Sequence, residues 1–227
     1  MKRLLLPALL LTTLTACTAA PADTLPAAVP TPTPASTPAP TAAPAPADAL
    51  TPEEKIGQLF IIRPDALDLT LPQETINDAK ADGVTMLTDA MRETLQAYPV
   101  GGICQFGKNI TDPEQLAQFN ADLQAASRTP LFIAVDEEGG AVARLANHPA
   151  FDLPQYESAA AVGASGDPAD ACAMGQTIGA YLKEYGFNMD FAPDADVNTN
   201  PDNPIIGTRA FSSDAATAAE MAAAAAD

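Results

Sequence analysis

The sequence contains no tryptophan and a single histidine, and aromatic residues make up only 5% of its 227 positions. Basic residues are also scarce, with 11 lysines and arginines against 29 acidic residues and a formal net charge of −18. A chain this acidic would be repelled by nucleic acid and by anionic lipid headgroups, so we expect neither as a partner. Solubility alone accounts for the acidity.

Cysteine is scarce as well, with three residues in the chain: Cys17, Cys104 and Cys172. Cys104 lies in an apolar run typical of a strand, and Cys172 lies in a run typical of a helix. We therefore predict that both are buried thiols. A disulfide between these two cysteines is the alternative for a protein outside the cell.

The amino-terminal apolar run, residues 4–14, is too short to cross a bilayer. Lys2 and Arg3 precede it and "LTAC" follows it, which is the pattern of a secretory signal. A cysteine directly after "LTA" resembles a bacterial lipobox. We predict a lipoprotein signal peptide at residues 1–16 and a lipid on Cys17, which would anchor the protein to the extracytoplasmic side of the membrane at the cell surface. An ordinary signal peptide with an incidental cysteine is the alternative.

Residues 17–50 are dominated by alanine, proline and threonine, with nine prolines between residues 18 and 50. So many prolines prevent a helix or a sheet, which predicts a disordered, extended tether. The folded part is therefore expected at residues 51–227.

Within residues 51–227, four apolar runs predict strands, at residues 56–62, 100–106, 131–135 and 187–193. Thr51, Pro52 and Glu54 predict the start of a helix. Further helices are predicted at residues 112–128 and at residues 169–186, the second ended by Gly186. Strands that alternate with helices indicate parallel βα units, so the predicted fold class is α/β. Residues 63–99 form a helical insertion after the first strand.

A closed parallel barrel needs eight strands and about 250 residues, and four strands are only half of that number. The sequence stops within the helical run "EMAAAAAD". We therefore expect the first half of a longer domain. A complete, small, four-stranded α/β sheet is the alternative.

The run "LFIAVDEEGGAVARL" at residues 131–145 delivers three acids to a glycine turn at the end of a buried strand. Sites in parallel α/β folds lie at such strand ends. A second acidic group ends the fourth strand, and paired carboxylates are what glycoside hydrolysis requires. Two arginines supply forked donors that suit a polyhydroxylated ligand. The residues concerned are Asp136, Glu137 and Glu138, then Asp190, Asp194 and Asp196, with Arg144 and Arg209.

Four blocks of the sequence resemble glycoside hydrolase family 3, in its N-terminal domain: "EEKIGQLF", "GGICQFGKNI", "IAVDEEGGAVARL" and "FNMDFAPDADVNTNPDNPIIGTRAF". The resemblance is strongest to the β-N-acetylhexosaminidase branch. It implies a (β/α)8 TIM barrel, of which only about the first half lies in this chain, as a truncated domain at residues 51–227. It also implies a retaining hydrolase that removes terminal β-linked N-acetylglucosamine from peptidoglycan- or chitin-derived oligosaccharides.

The resemblance assigns roles residue by residue. Asp136 matches the aspartate that grips sugar hydroxyls, and Arg144 and Arg209 match the arginines that contact the sugar, so all three are expected to bind substrate. In the family the nucleophile lies on a later strand and the acid/base histidine in a later loop. No catalytic residue is therefore expected in this chain, and both groups are expected beyond Asp227. His148, in "ANHPAF", is then structural. No metal or cofactor is expected, and the protein is expected to be monomeric.

The sequence departs from the family pattern at two positions. Ala141 replaces an arginine that many relatives carry, and Asp194 replaces an apolar residue, so an extra carboxylate near a barrel interior would need a partner or solvent. Two other functions stay open. A β-glucosidase of the same family differs only in its aglycone and acetamido pocket. A non-catalytic sugar-binding lipoprotein is disfavoured by the scarcity of aromatic platforms.

Overall fold

The structure is a computed structural model, and it describes residues 49–227. The predicted signal peptide, Cys17 and all but the last two residues of the predicted tether lie outside the described residues. Among residues 49–227, no helix is both long and apolar enough to cross a membrane. The same residues include no group of three or more His, Cys, Asp or Glu side chains arranged to hold a metal ion.

A parallel sheet of four strands forms the centre of the described part. The strands are β1 (Ile61–Ile62), β2 (Gly102–Cys104), β3 (Phe132–Val135) and β6 (Met189–Asp190), in the order β1-β2-β3-β6. Ile103 pairs with Ile62 and Ile133, while Ala134 pairs with Cys104 and Met189. Each strand lies within a run predicted from the sequence, so the four strand predictions are confirmed.

Helices connect the strands as the alternating pattern predicts. Helix α1 (Pro52–Gly57) begins with the capping box of Thr51 and Glu54. After β2, α4 (Pro113–Ala126) is capped by Asp112, and after β3, α6 (Pro168–Glu184) is capped by Asp167. The chain then leaves α6 through Gly186, whose φ of +83° favours glycine. Two further helices, α5 (Ala159–Gly163) and α7 (Ala215–Ala226), pack against α6.

The insertion after β1 is helical, as expected. It contains a 3₁₀ turn (Pro64–Leu67), α2 (Gln73–Asn77) and α3 (Asp89–Ala97). A buried ion pair fixes it to the end of β2, because Asp65 lies 3.3 Å from the Lys108 amine. Asn109 donates a 2.9 Å hydrogen bond to the same carboxylate. The insertion is therefore built onto the sheet by polar contacts rather than attached as a loose loop.

The two cysteines differ from each other. Cys104 is buried, as predicted, whereas Cys172 is half-buried, so the prediction of a second buried thiol was wrong. The alternative of a disulfide is also contradicted, since both thiols are free. Cys172 lies on α6 between the buried Ala171 and the exposed Ala173, and helical periodicity alone did not identify it as half-buried.

Candidate functional site

The acids after β3 lead into a glycine turn, as the sequence predicts. They open a short antiparallel hairpin of β4 (Glu137–Gly139) and β5 (Val142–Ala143). Gly139 and Gly140 adopt φ values of +81° and +62°. A Cβ on Gly140 would lie 2.9 Å from the Ser158 Cα and 3.0 Å from the Glu157 carbonyl oxygen. The close approach at Gly140 is therefore to the protein's own backbone.

Asp136 and Arg144 form the first of two ion-pair groups. Asp136 follows β3 directly, and its Oδ2 accepts a 3.0 Å hydrogen bond from Nη2 of Arg144. Both side chains stay partly exposed, at 26% for Asp136 and 32% for Arg144. Nε of Arg144 is buried and has no hydrogen-bond partner among the described residues. The pair keeps donors and acceptor oxygens available for a polar ligand at the carboxyl end of the sheet.

Arg209 belongs to a separate group and does not pair with Asp136. It lies in the 3₁₀ turn Gly207–Arg209 and forms a bidentate ion pair with Glu138, with both contacts at 2.7 Å. Asp194 lies 3.3 Å from the same guanidinium. The hydrogen bond to Glu138 raises the pKa of Arg209, which keeps its charge. The extra carboxylate of Asp194, whose side chain is 8% exposed, thus shares one arginine with Glu138, and its buried Oδ2 accepts no hydrogen bond among the described residues.

Glu137 is fully buried, and the sequence did not distinguish it from its neighbours. Its carboxylate accepts hydrogen bonds from the backbone N–H groups of three consecutive residues, Arg144, Leu145 and Ala146. It accepts a fourth from the Tyr181 hydroxyl at 2.9 Å. The expectation that all three acids serve the mouth of the site is therefore wrong for Glu137. This residue fixes the segment that presents Arg144 to Asp136.

Tyr181 supports this arrangement from α6. Burial, followed by the charge of Glu137, raises the pKa of the Tyr181 hydroxyl, so the group stays protonated and donates. Tyr181 is 44 residues from Glu137 in the chain. The sequence shows Tyr181 only as one apolar-face position of a helix, so nothing in it predicted this contact.

Asp190 is the remaining carboxylate at this end of the sheet. Its Oδ1 accepts a 3.0 Å hydrogen bond from the Glu137 N–H. Burial raises the pKa of Asp190 from 3.8 to about 7, and the charges of Glu137, Asp136 and Glu138 add to this effect, while the Glu137 N–H acts against it. Asp196 is exposed. The three acids at the end of the fourth strand, Asp190, Asp194 and Asp196, therefore lie in three different environments.

A first prediction concerns the pH dependence of stability. The folded state binds a proton at Asp190 more tightly than the unfolded state does, so stability should fall as the pH rises from about 4 to about 7. Asp190→Asn keeps the acceptor oxygen and removes the titration. We expect this variant to be more stable than the parent at pH 8, by on the order of 2–4 kcal/mol, and equal to it near pH 4.

Urea unfolding at pH 4, 6 and 8 measures this difference, with Asp82→Asn as the control for an exposed aspartate. A difference between Asp190→Asn and the parent that does not change with pH would contradict the prediction.

His148 and Ala141 lie outside both ion-pair groups. His148 is half-buried in a turn, where its ring packs edge to face on Phe151 with the centroids 5.5 Å apart. Its Nδ1 accepts a 3.3 Å hydrogen bond from the Ala150 N–H. These contacts agree with a structural role. Ala141 is exposed at the tip of the β4–β5 hairpin, so its departure from the family pattern does not disturb packing.

Asp227, the residue beyond which the catalytic groups are expected, takes part in neither ion-pair group. It is exposed and forms the C-cap of α7. Within residues 49–227 its carboxylate forms no ion pair with a basic side chain. Asp227 therefore has no role of its own in the site, and the expectation that the nucleophile and the acid/base follow it stays a prediction.

The fold and the site define a parallel α/β protein with charged groups at the carboxyl ends of its strands. Comparison with known proteins identifies the family. Residues 51–227 match the family described as "Glycosyl hydrolase family 3 N terminal domain". The chain therefore belongs to glycoside hydrolase family 3, and the resemblance seen in the sequence is confirmed.

Named relatives agree with this assignment. The chain is 36% identical over 134 residues to beta-hexosaminidase A of Pseudoalteromonas piscicida, covering 57% of this chain and 22% of that protein. It is 34% identical over 134 residues to a beta-hexosaminidase of Stenotrophomonas maltophilia, with coverage of 57% and 39%. The chain thus spans well under half the length of these two curated relatives.

Solved structures confirm the barrel prediction. A glycoside hydrolase family 3 beta-N-acetylglucosaminidase from Paenibacillus aligns with a TM-score of 0.63 and 33% identity, covering 78% of this chain and 30% of that one. A beta-N-acetylhexosaminidase from Beutenbergia cavernae aligns with a TM-score of 0.60 and 30% identity, covering 77% and 49%. The described sheet corresponds to about half of the (β/α)8 barrel of this family.

Proposed function

We propose that this chain is part of a glycosidase that removes terminal β-linked N-acetylglucosamine from peptidoglycan- or chitin-derived oligosaccharides with retention of configuration. Asp136, Arg144 and Arg209 bind the sugar in this proposal. The nucleophile and the acid/base come from beyond Asp227, and neither metal nor cofactor takes part. The observation that carries the proposal is the Asp136–Arg144 ion pair at the carboxyl end of β3, in a chain of this family.

The chemistry of that pair suits a sugar. A carboxylate accepts hydrogen bonds from vicinal hydroxyls, and a guanidinium donates to hydroxyl and ring oxygens. The names of the relatives support N-acetylglucosamine as the sugar, since they are called beta-hexosaminidases and a beta-N-acetylglucosaminidase. Arg209 reaches the sugar only if it retains a free donor beside Glu138, and its side chain is 27% exposed.

The test compares two chromogenic substrates, the β-N-acetylglucosaminide and the β-glucoside of p-nitrophenol, on a form of the protein that contains the complete barrel. We expect hydrolysis of the first at least 100-fold faster than hydrolysis of the second, and an initial product of β configuration by NMR. Equal rates would favour the β-glucosidase alternative. Binding without hydrolysis would favour the sugar-binding lipoprotein. The 227-residue chain alone is expected to be inactive.

The location of the protein is a second part of the proposal. We propose that Cys17 carries a lipid that holds the protein on the extracytoplasmic side of a bacterial membrane, with residues 18–50 as its tether, and that the protein acts as a monomer. The support is the lipobox pattern "LTAC" after the apolar run. Cys17→Ser is expected to move the protein from the membrane fraction to the soluble fraction and to abolish labelling by an alkyne fatty acid.

Cys172→Ser is the matched control, because Cys172 is a half-buried free thiol in the folded part. It should leave both the fractionation and the labelling unchanged. Membrane retention of Cys17→Ser would show that the amino-terminal cysteine is not the anchor.

A further inference from the structure

We propose that Arg63 forms, together with Arg144, an anion-binding subsite beside the sugar position, and that this subsite takes a carboxylate group of the substrate. The inference deepens the proposed function and rests on it. It adds a residue that the family motifs in this sequence do not contain. It also distinguishes between the two proposed classes of substrate, since chitin oligosaccharides are neutral and peptidoglycan fragments carry carboxylates.

Arg63 reaches the same end of the sheet as Asp136. It follows β1 directly, as Asp136 follows β3. The Cζ atom of Arg63 lies 4.3 Å from the centroid of the Phe106 ring, and Cζ of Arg144 lies 6.0 Å from the same centroid. Two guanidinium groups therefore share one aromatic ring at the carboxyl ends of β1 and β2. An aromatic face stabilises a nearby cation, which permits both charges there.

The two arginines differ in their ion-pair partners. Asp136 pairs with Arg144, and within residues 49–227 Arg63 forms no ion pair with a carboxylate. The Cys104 thiol lies within reach of the charges of Asp136, Arg144, Arg63 and Asp190, but burial raises its pKa to about 12, so it is neutral. Of the guanidinium groups of Arg63, Arg144 and Arg209, that of Arg63 is thus the one without an ion-pair partner among residues 49–227.

Two other acids near this end of the sheet have basic partners of their own. Asp65 pairs with Lys108, and Glu138 pairs with Arg209. A ligand carboxylate would therefore meet Arg63 without competition from these side chains. A guanidinium carries five N–H donors, and Arg63 uses one of them, from Nη1 to the carbonyl oxygen of Ile76 at 3.1 Å. Donors remain for a charge-assisted hydrogen bond.

The insertion holds Arg63 in place. Ile76 belongs to α2, and Lys108 fixes the end of that helix by donating to the carbonyl oxygens of Thr75 at 2.8 Å and Asp78 at 3.2 Å. Lys108 is in turn held by the buried Asp65. The Arg63 side chain is thus restrained at its ring contact and at its carbonyl contact. A restrained guanidinium loses little conformational entropy when it binds, so its charge can contribute to affinity.

The experiment uses the full 227-residue chain and two probes that differ only in charge. The first probe is N-acetylglucosaminyl-β-1,4-N-acetylmuramic acid, which carries a lactyl carboxylate, and the second is its neutral methyl amide. Dissociation constants come from NMR titration at low ionic strength. We expect the parent chain to prefer the carboxylate probe by about tenfold, from one charge-assisted contact. Arg63→Ala should abolish this preference and change the affinity for the methyl amide less than twofold.

Two further variants separate charge from folding. Arg63→Lys keeps the charge without the fork and should retain part of the preference. Arg92→Ala is the matched control, because Arg92 is an arginine of α3 in the same insertion. This variant should bind both probes as the parent does. If Arg63→Ala alters the amide spectrum broadly, Arg63→Gln, which can still donate to Ile76, replaces it in the comparison.

The outcomes are distinguishable. A preference for the carboxylate that survives in Arg63→Ala, or an equal loss for both probes, overturns the subsite. Sodium lactate that binds as tightly as the disaccharide also overturns it, since the site would then take a free anion. Binding of the carboxylate probe that depends on Arg63, without any binding of the methyl amide, keeps the subsite and counts against the proposed sugar site. If neither probe binds at millimolar concentration, the subsite is overturned, and the chromogenic substrates on the complete barrel decide the proposed function separately.

Discussion

Asp136→Ala is expected to lower kcat/KM of the enzyme with the complete barrel by about 30- to 1,000-fold, which corresponds to a loss of roughly 2–4 kcal/mol. Removal of this carboxylate leaves the sugar hydroxyls without an acceptor. It also leaves the Arg144 guanidinium, now paired at 3.0 Å, without its partner. Steady-state kinetics on the p-nitrophenyl N-acetylglucosaminide measure the loss. Asp82→Ala, at an exposed aspartate of the insertion, should behave as the parent does.

The position of Asp136 at a strand end would also suit a nucleophile, and the same variant separates the two roles. If Asp136 only contacts the sugar, the loss depends on the hydroxyls of the substrate, and the 4-deoxy analogue should be affected far less than the normal substrate. If Asp136 were the nucleophile, azide should restore turnover with inverted configuration. We expect no rescue by azide. A rescue would show that the family role assigned to Asp136 is wrong.

Glu137→Ala is expected to have the largest effect on stability, a loss of about 3–5 kcal/mol in the free energy of unfolding. The change leaves three backbone N–H groups and the Tyr181 hydroxyl without an acceptor in a buried region. The segment that carries Arg144 should then lose its fixed position, so binding of the sugar should weaken as well. The midpoint of urea unfolding and the KM of the complete enzyme measure these two effects.

Two comparisons calibrate the Glu137 result. Tyr181→Phe removes one of the four donors and should cost only about 1 kcal/mol. Glu220→Ala, at an exposed position of α7, should change the free energy of unfolding by less than about 0.5 kcal/mol. A loss for Glu137→Ala no greater than that for Tyr181→Phe would mean that the backbone donors find other acceptors, contrary to the geometry described above.

The three arginines at this end of the sheet have different partners, and this difference affects specificity. Arg144 and Arg63 share the ring of Phe106 but have different partners, Asp136 for one and a backbone carbonyl for the other. Arg209 forms ion pairs with two carboxylates, those of Glu138 and Asp194. The charge at this end of the sheet is therefore positive near β1 and negative near the turn that contains Arg209. A substrate with one charged substituent has a single favourable orientation in such a field.

The sequence by itself determined the local elements and the family. Short apolar runs bounded by turn residues predict the four strands, because a strand that is buried on both faces consists almost entirely of apolar residues. Thr51 and Asp112 mark helix starts, since a side-chain oxygen there satisfies free backbone N–H groups. The motif with Asp136 and Arg144 eight residues later indicates a ligand site at a strand end. These features can be predicted from the sequence because the residues that produce each of them lie within a few positions of one another in the chain.

Only the tertiary structure decided which environment each of the three adjacent acids occupies. Asp136, Glu137 and Glu138 are adjacent in sequence, yet one remains partly exposed beside Arg144, one is fully buried, and one binds an arginine 71 residues away. The buried ion pair of Asp65 with Lys108 and the ring shared by Arg63 and Arg144 likewise join separate elements. The state of a carboxylate depends on burial and on the donors around it, and those donors come together only when distant strands and helices pack.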